Sequence, residues 1–393
     1  MIPLHQAISI VLDSVIHKTH TQKVDFIQSL GRVLAANVSS DLNMPPFNKT
    51  AVDGYACRMA DAYQELEVVE VIPAGKAPTK VINQGQCAKI MTGAMIPQGA
   101  DCVLMVEDTK QISENRIAFT GKSVKSNICL LGEDIKKNDI ALTKGTTIEP
   151  HHIAIMAAVG CTQPEVSAKP RVAILSTGDE LVEPSIAPAM GQIRNSNGHQ
   201  LIAQVIKAGG EPHYFGIIED SEDATRAAIA KALAENDMVL LTGGVSMGDF
   251  DFVPKIMAEL GVKIHFDSIA VQPGKPTTFG TVNGKLIFGL PGNPVSSLFQ
   301  FDLLVKPAIR KALGAAETTP STVRLPLGSS YKRKKTERLA LIPVEINDKG
   351  EVNPVNFNGS AHIFAIANAN AVALIPQGVA ELQKGDFVDV RSL

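Results

Sequence analysis

The chain has 393 residues, of which 45% are hydrophobic and 20% charged, with a formal net charge of -3. That length allows about two to four domains with a sizeable core. The near-neutral balance excludes the broad basic footprint of a nucleic-acid binder, and no stretch approaches the roughly 20 apolar residues of a membrane-spanning helix.

The five cysteines, Cys57, Cys87, Cys102, Cys129 and Cys161, are far apart and odd in number. None has zinc-site or redox-motif spacing, so reduced thiols in a cytoplasmic protein are expected. The first residues are broken by His5, Gln6, Ser9 and Asp13, which predicts no secretory signal. The basic run Lys332-Arg333-Lys334-Lys335 reads first as a solvated loop or strand edge, and only second as a binding patch.

In chain order, Ile8, Val11, Leu12, Val15 and Ile16 recur at helical spacing and predict an amphipathic helix. A second short helix is expected at Asp25 to Ala36, before the turn-rich Met44-Pro45-Pro46. From about Glu67 to Thr147, short apolar runs (Glu67–Ile72, Cys87–Met91, Cys102–Glu107, Arg116–Phe119) alternate with Gly, Pro and Asn turns. They predict a small all-β barrel or sandwich. His151 to Val159 reads as a short helix.

Between Pro170 and Gly314 the rhythm is strand, loop, helix. Strands are expected at Arg171–Ser176, Pro212–Ile218 and Asp237–Thr242, and helices at Asn197–Ala208, Ser221–Ala234 and Phe252–Leu260. Strands apolar on both sides between helices predict a parallel sheet covered on both faces. After Pro320 short strands and turns return.

Ligands of open α/β sheets bind where the strands end, and the unusual loops of this region lie there. Gly243, Gly244 and Gly248 can bring backbone N–H groups close to an anion, with a helix following. Phosphate or pyrophosphate is the natural guest, although the Gly-Lys-Ser/Thr ending of a P-loop is missing. Asp179 and Glu180 beside bound phosphate imply a divalent cation, Mg²⁺ by preference, which Asp251 could also serve; helix capping is the alternative for Asp179 and Asp251. Lys275 sits between Gly274 and Pro276 and suits an oxyanion. Pro291 and Pro294 stiffen a loop in which Asn293 offers an amide, unless this is plain turn chemistry. Asp53 and Asp134 fall in turn-rich segments and could be turn carboxylates.

Seven motifs occur in order: Pro46-Phe47…Ala51-Val52-Asp53-Gly54-Tyr55-Ala56, Met91-Thr92-Gly93-Ala94, Gly132-Glu133-Asp134, Thr177-Gly178-Asp179-Glu180-Leu181, Gly243-Gly244-Val245-Ser246, Pro273-Gly274-Lys275-Pro276 and Leu290-Pro291-Gly292-Asn293-Pro294. Together they resemble the molybdopterin molybdotransferases, the bacterial MoeA proteins and the gephyrin E domain, over nearly the whole chain as far as Asn358-Gly359-Ser360-Ala361-His362.

The resemblance implies an α/β multidomain fold. Residues 1–40 with 140–169 would form a linking domain, its helical part packed on the central domain. Residues 41–139 would be an inserted β domain, 170–318 a molybdopterin-binding, adenylyltransferase-like domain with a parallel sheet, and 319–393 a C-terminal β-barrel-like domain. It also implies a homodimer in which Asp53, Thr92 and Asp134 of one subunit face the partner's Gly-rich loop. The implied reaction inserts molybdate into adenylyl-molybdopterin and releases AMP. Glu180 and Asp251 would hold Mg²⁺. Thr177, Gly178, Asp179, Gly243, Gly244, Ser246, Gly248, Pro291, Gly292, Asn293 and Pro294 would bind the cofactor precursor, with Ser296 and Ser360 assisting molybdate and Lys275 holding oxyanion charge. A molybdopterin adenylyltransferase is an implied pathway partner.

Ser268, Gln272 and Pro343 stand where family members often carry a basic residue, and Asn48-Lys49 replaces a more usual Asp-Asn pair. The lost charge predicts weaker oxyanion binding, unless Lys275 and backbone N–H groups meet it. Two other functions fit less well: an adenylyltransferase needs only the central domain, and a non-catalytic cofactor-binding scaffold would tolerate the missing charges.

Overall fold

The computed structural model describes residues 1–16, 20–243, 253–357 and 359–393. Helix α1 (Leu4–Ser14) buries Ala7 and Val11, with Ile8 and Val15 packed beside them in the core of the central sheet. Ile16 lies beyond the helix and is exposed.

The helix expected at Asp25 to Ala36 does not form. A 3₁₀ turn spans Ile27–Ser29, and Gly31 then adopts φ +74°. The following backbone bonds across to the neighbouring segment, Gly31 N–H to the Ile148 carbonyl and Leu34 N–H to that of Thr146. Val33 and Leu34 are thereby fully buried. Burying those two side chains and pairing the backbone outweighs a helical propensity worth only tenths of a kcal/mol per residue, about 0–0.7.

The inserted region carries strands β1 (Gly54–Cys57), β2 (Glu65–Ile72), β3 (Gln86–Ile90), β4 (Cys102–Met105), β5 (Thr109–Ser113) and β6 (Arg116–Phe119). They form one sheet in the order β4-β1-β3-β2-β6-β5. Alternation along the strands feeds two cores: Ala56, Ala88 and Val103 face one, Cys57, Cys87, Cys102 and Leu104 the other. Helix α2 (Pro150–Ala158) follows, with His152 and Glu149 closing a reciprocal cap.

The central region contains β7 (Arg171–Thr177), α3 (Ser196–Ala208), β8 (Glu211–Ile218), α4 (Glu222–Glu235), β9 (Met238–Thr242), α5 (Val253–Glu259), β10 (Lys263–Ser268), β11 (Pro276–Val282), β12 (Lys285–Leu290), α6 (Pro294–Gln300) and α7 (Lys306–Ala312). The last two helices are joined through a π-type turn, Phe301–Val305. The sheet order is β8-β7-β9-β12-β11-β10. In β7, Val172 and Ile174 face α3 and α7, whereas Ala173 and Leu175 face α4 and α5. The expected double covering is therefore present.

The expectation of a parallel sheet holds for β8, β7, β9 and β12 and fails beyond. Strand β11 runs antiparallel to β12, with Val282 opposite Lys285, and β10 antiparallel to β11. The cause is local. Asn283 and Gly284 both have positive φ and close a two-residue hairpin, for which Asn-Gly is a strong signal.

The C-terminal region has strands β13 (Val323–Pro326), β14 (Leu339–Ile346), β15 (Ala371–Ile375) and β16 (Phe387–Ser392). Val271–Gln272 joins their sheet by pairing parallel with Leu339–Ala340 of β14. Ala340, Ile342 and Val344 point into the sheet's own core, while Leu341 and Val372 complete the central one. Both couplings fix the C-terminal sheet against the loops of the central domain.

Candidate active site

The seam between these two regions opens into a cleft of about 660 Å³. The central domain contributes Gln272 to Pro276, Pro291, Asn293 and Ser296. The C-terminal region contributes Tyr331, Arg333, Lys334, Lys335, Arg338, Phe357 and Ser360. Among the described residues, five lining side chains are cationic and none is a carboxylate.

Gly274 shapes the Lys275 loop. Its φ is +101°, and a Cβ there would overlap the Gln300 amide. Gln300 is fully buried and its Nε2 donates to the Pro273 carbonyl at 3.2 Å. The Thr277 hydroxyl donates to the Gly274 carbonyl at 2.9 Å. Lys275 is exposed at the loop's tip; its carbonyl accepts from Ile269 N–H at 3.0 Å, and its ammonium has no hydrogen bond or ion pair among the described residues.

The last loop connects the cleft with the strand ends. Asn293 caps α6 without a side-chain cap bond, so its amide stays available to the cleft. Ser296 is 3% exposed, and Val295 N–H donates to the Ser360 carbonyl at 3.1 Å, tying the two walls together. Gly292 approaches the Gly243 backbone. Gly243, at φ +91°, lies against Thr177 so closely that a Cβ would meet its carbonyl. The Thr177 hydroxyl is buried and without a partner among the described residues. Asn197, absent from the sequence-based list, donates to the Thr242 hydroxyl at 2.9 Å and the Gly292 carbonyl at 2.7 Å. An Asn following a strand end could have suggested it, but its two partners come from a strand end and a loop distant in sequence.

Glu180 accepts from Ile193 N–H through its carbonyl at 2.8 Å and folds its carboxylate back over Gly178, where the carboxylate has no hydrogen-bonding or ionic partner among the described residues. Asp179 accepts from Asp220 N–H at 3.2 Å and caps no helix, since the strand Leu181–Val182 follows it. Gly244, Ser246, Gly248 and Asp251 lie outside the described residues. Among the described residues no group of three or more His, Cys, Asp or Glu is arranged to hold a metal ion.

Asp53, Thr92 and Asp134 do not line the cleft. Asp53 accepts from Thr92 twice, from its N–H at 2.6 Å and its hydroxyl at 2.8 Å. The N–H first, and the hydroxyl with it, hold the exposed Asp53 carboxyl below its usual range, because both stabilise the anion. Asp134 N–H donates to the Met44 carbonyl at 3.0 Å, and its side chain is exposed. Asn48 accepts from Leu131 N–H at 2.8 Å, which fixes the turn preceding Asp134.

The basic run was expected to be a solvated edge, and the structure divides it. Lys332 pairs with Glu381 at 3.1 Å. Arg333 donates to the carbonyls of Val379, Arg338 and Pro376, and Arg333, Lys334 and Lys335 line the cleft. Of the three positions lacking expected charge, only Gln272 lines it.

Sequence patterns of three regions match the chain: the MoeA N-terminal region (domain I and II) over residues 2–160, a probable molybdopterin binding domain over 173–311 and the MoeA C-terminal region (domain IV) over 324–393. The chain is 38% identical over 379 residues to a molybdopterin molybdenumtransferase of Staphylococcus epidermidis, covering 93% of this chain and 90% of that protein. It is 34% identical over 372 residues to one of Staphylococcus aureus, covering 92% and 89%. The crystal structure of a molybdopterin biosynthesis moeA protein from Pyrococcus horikoshii superposes with a TM-score of 0.88 at 31% identity, covering 100% of both chains.

Proposed function

The chain belongs to the MoeA family, and on that premise we propose that it is a molybdopterin molybdotransferase, inserting molybdate into adenylyl-molybdopterin with release of AMP. The observation that carries the reading is a cleft lined, among the described residues, by five cations and no carboxylate. It shares the Pro291–Pro294 loop with the strand ends where Thr177 and Gly243 meet. A tetrahedral dianion suits the cleft, and the phosphates suit the glycine-rich strand ends.

In this reading the chain's own groups bind and orient. Lys275, Ser296 and Ser360 hold molybdate beside the dithiolene. Thr177, Gly178, Gly243, Gly244, Ser246 and Gly248 take the phosphates, with Asp179 at their edge, and Pro291, Gly292, Asn293 and Pro294 form the wall common to both. Glu180, uncommitted among the described residues, fits one ligand position for Mg²⁺, an ion that typically uses one or two protein carboxylates together with substrate phosphates and water. Asp251 is assigned the second. When bound, Mg²⁺ would neutralise charge on the pyrophosphate that is cleaved.

The separation of Asp53, Thr92 and Asp134 from this cleft supports a homodimer in which they reach the partner's site. Contact with a molybdopterin adenylyltransferase fits a substrate that is passed on adenylylated. Five free cysteines agree with a cytoplasmic setting, and no helix of the described residues is long and apolar enough to cross a membrane.

The test is AMP release from adenylyl-molybdopterin, Mg²⁺ and purified protein, with and without molybdate. Release that requires molybdate is expected. Adenylylation from ATP, or binding of the pterin nucleotide with no turnover, would overturn the proposal.

A further inference from the structure

We propose that Lys334 and Lys335 of the C-terminal region are oxyanion-recognition residues of the cleft they line together with Lys275. The inference rests on the transferase reading for the identity of the anion. It rests on the cleft for the residues.

The run Lys332 to Lys335 divides by partner. Lys332 is engaged by Glu381 outside the cleft. Arg333 has its guanidinium committed to three backbone carbonyls, at 2.7, 2.9 and 2.5 Å, which anchors the segment. Arg338 donates to the Val271 carbonyl at 3.1 Å, the residue that pairs with Leu339 of β14. These two arginines are fasteners between the sheet and the Lys275 loop, and part of their hydrogen-bonding capacity is spent on backbone.

Lys334 and Lys335 differ. Both line the cleft, and neither has a hydrogen bond or ion pair among the described residues. With Lys275 opposite, they form a set of three uncommitted ammonium groups around one volume that, among the described residues, no carboxylate lines. Like charges gathered without counter-charge repel one another. A dianion between them removes that repulsion and gains attraction from each, whereas a neutral ligand does neither. Ammonium groups are hydrated point charges, suited to an oxyanion without the planar fork of a carboxylate. The expected ligand is thus a compact tetrahedral dianion such as molybdate, recognised by charge drawn from two domains.

Titration of molybdate into the full chain by calorimetry tests this. Lys334→Ala with Lys335→Ala should raise the Kd about tenfold, from the loss of two partly screened charges. Lys334→Arg with Lys335→Arg should return it to within about twofold, since charge rather than shape is read. Lys332→Ala should leave it unchanged. The wild type should lose affinity with added salt more steeply than the alanine pair. Wild-type affinity in the alanine pair, or no uptake of molybdate by the wild type, overturns the inference. A wild type that binds molybdate yet releases no AMP defeats the transferase reading alone, because the lysine comparison is made on Kd.

Discussion

Gly274→Ala perturbs the cleft at one atom. The backbone there has φ +101°, a region costing an L residue about 1–3 kcal/mol. The new Cβ would also lie 2.8 Å from Gln300 Cδ and 3.0 Å from its Cγ. Gln300 is fully buried, so it has no open side to retreat to. If it shifts, its 3.2 Å hydrogen bond to Pro273 is lost, at about 1 kcal/mol. The total is about 2–4 kcal/mol, or a fall of about 4–16 °C in the melting temperature of the central domain. Lys275 follows Gly274 directly, so the KM for molybdate should rise about tenfold, a displacement of the ammonium by roughly an ångström being sufficient. The assay is differential scanning calorimetry with molybdate-dependent AMP release. Adding Gln300→Ala removes the overlap, so the double variant should lose less stability than the sum of the singles, with a coupling above about 0.5 kcal/mol. A Gly274→Ala protein that melts with the wild type and keeps its KM, or a cycle that is additive, refutes the reasoning.

If the proposed homodimer shares its sites, subunits carrying Asp53→Asn and subunits carrying Asp251→Ala should each be inactive, yet their mixture should recover about one quarter of wild-type AMP release, since half the random dimers would hold one intact shared site; no recovery after confirmed subunit exchange would place Asp53 and Asp251 in the same subunit's site or remove the shared site. Asp53 has a depressed folded pKa, so its contribution to stability is complete above the unfolded carboxyl value of about 4 and disappears as pH falls through the folded value. NMR of the Asp53 carboxyl carbon should find a midpoint below the usual range, moving up in Thr92→Ala. Tyr214 donates to Glu183 at 2.7 Å and is the first cause of that carboxyl's lowered pKa; Tyr214→Phe should raise it, and an unmoved midpoint would show the bond to be absent in solution. Phe288 is fully buried with its ring 4.9 Å from that of Phe279, so Phe288→Ala should cost about 3–5 kcal/mol in urea unfolding. A loss under about 1 kcal/mol would contradict this packing.

The sequence by itself determined the elements whose signals are local. Helix α4 begins at its Ser221 cap, α3 ends at Gly209 in the left-handed conformation, and the apolar runs became β7, β8 and β9 because period and punctuation are written in neighbouring residues. The motifs likewise located Thr177, Gly243, Lys275 and Asn293 in loops at strand ends. The segment around Gly31 to Leu34 could not be read this way, since its backbone partners are more than a hundred residues away. The antiparallel edge was written at Asn283-Gly284, a local signal outweighed by the surrounding strand-helix rhythm. Only the tertiary structure decided where the charge sits. Lys332 and Lys335 are three positions apart in one run, yet one meets Glu381 and the other a cleft shared with a different domain. Periodicity assigns a side chain to a face of its own element; what that face meets depends on packing between regions distant in the chain, and a single sequence does not encode that in its spacing.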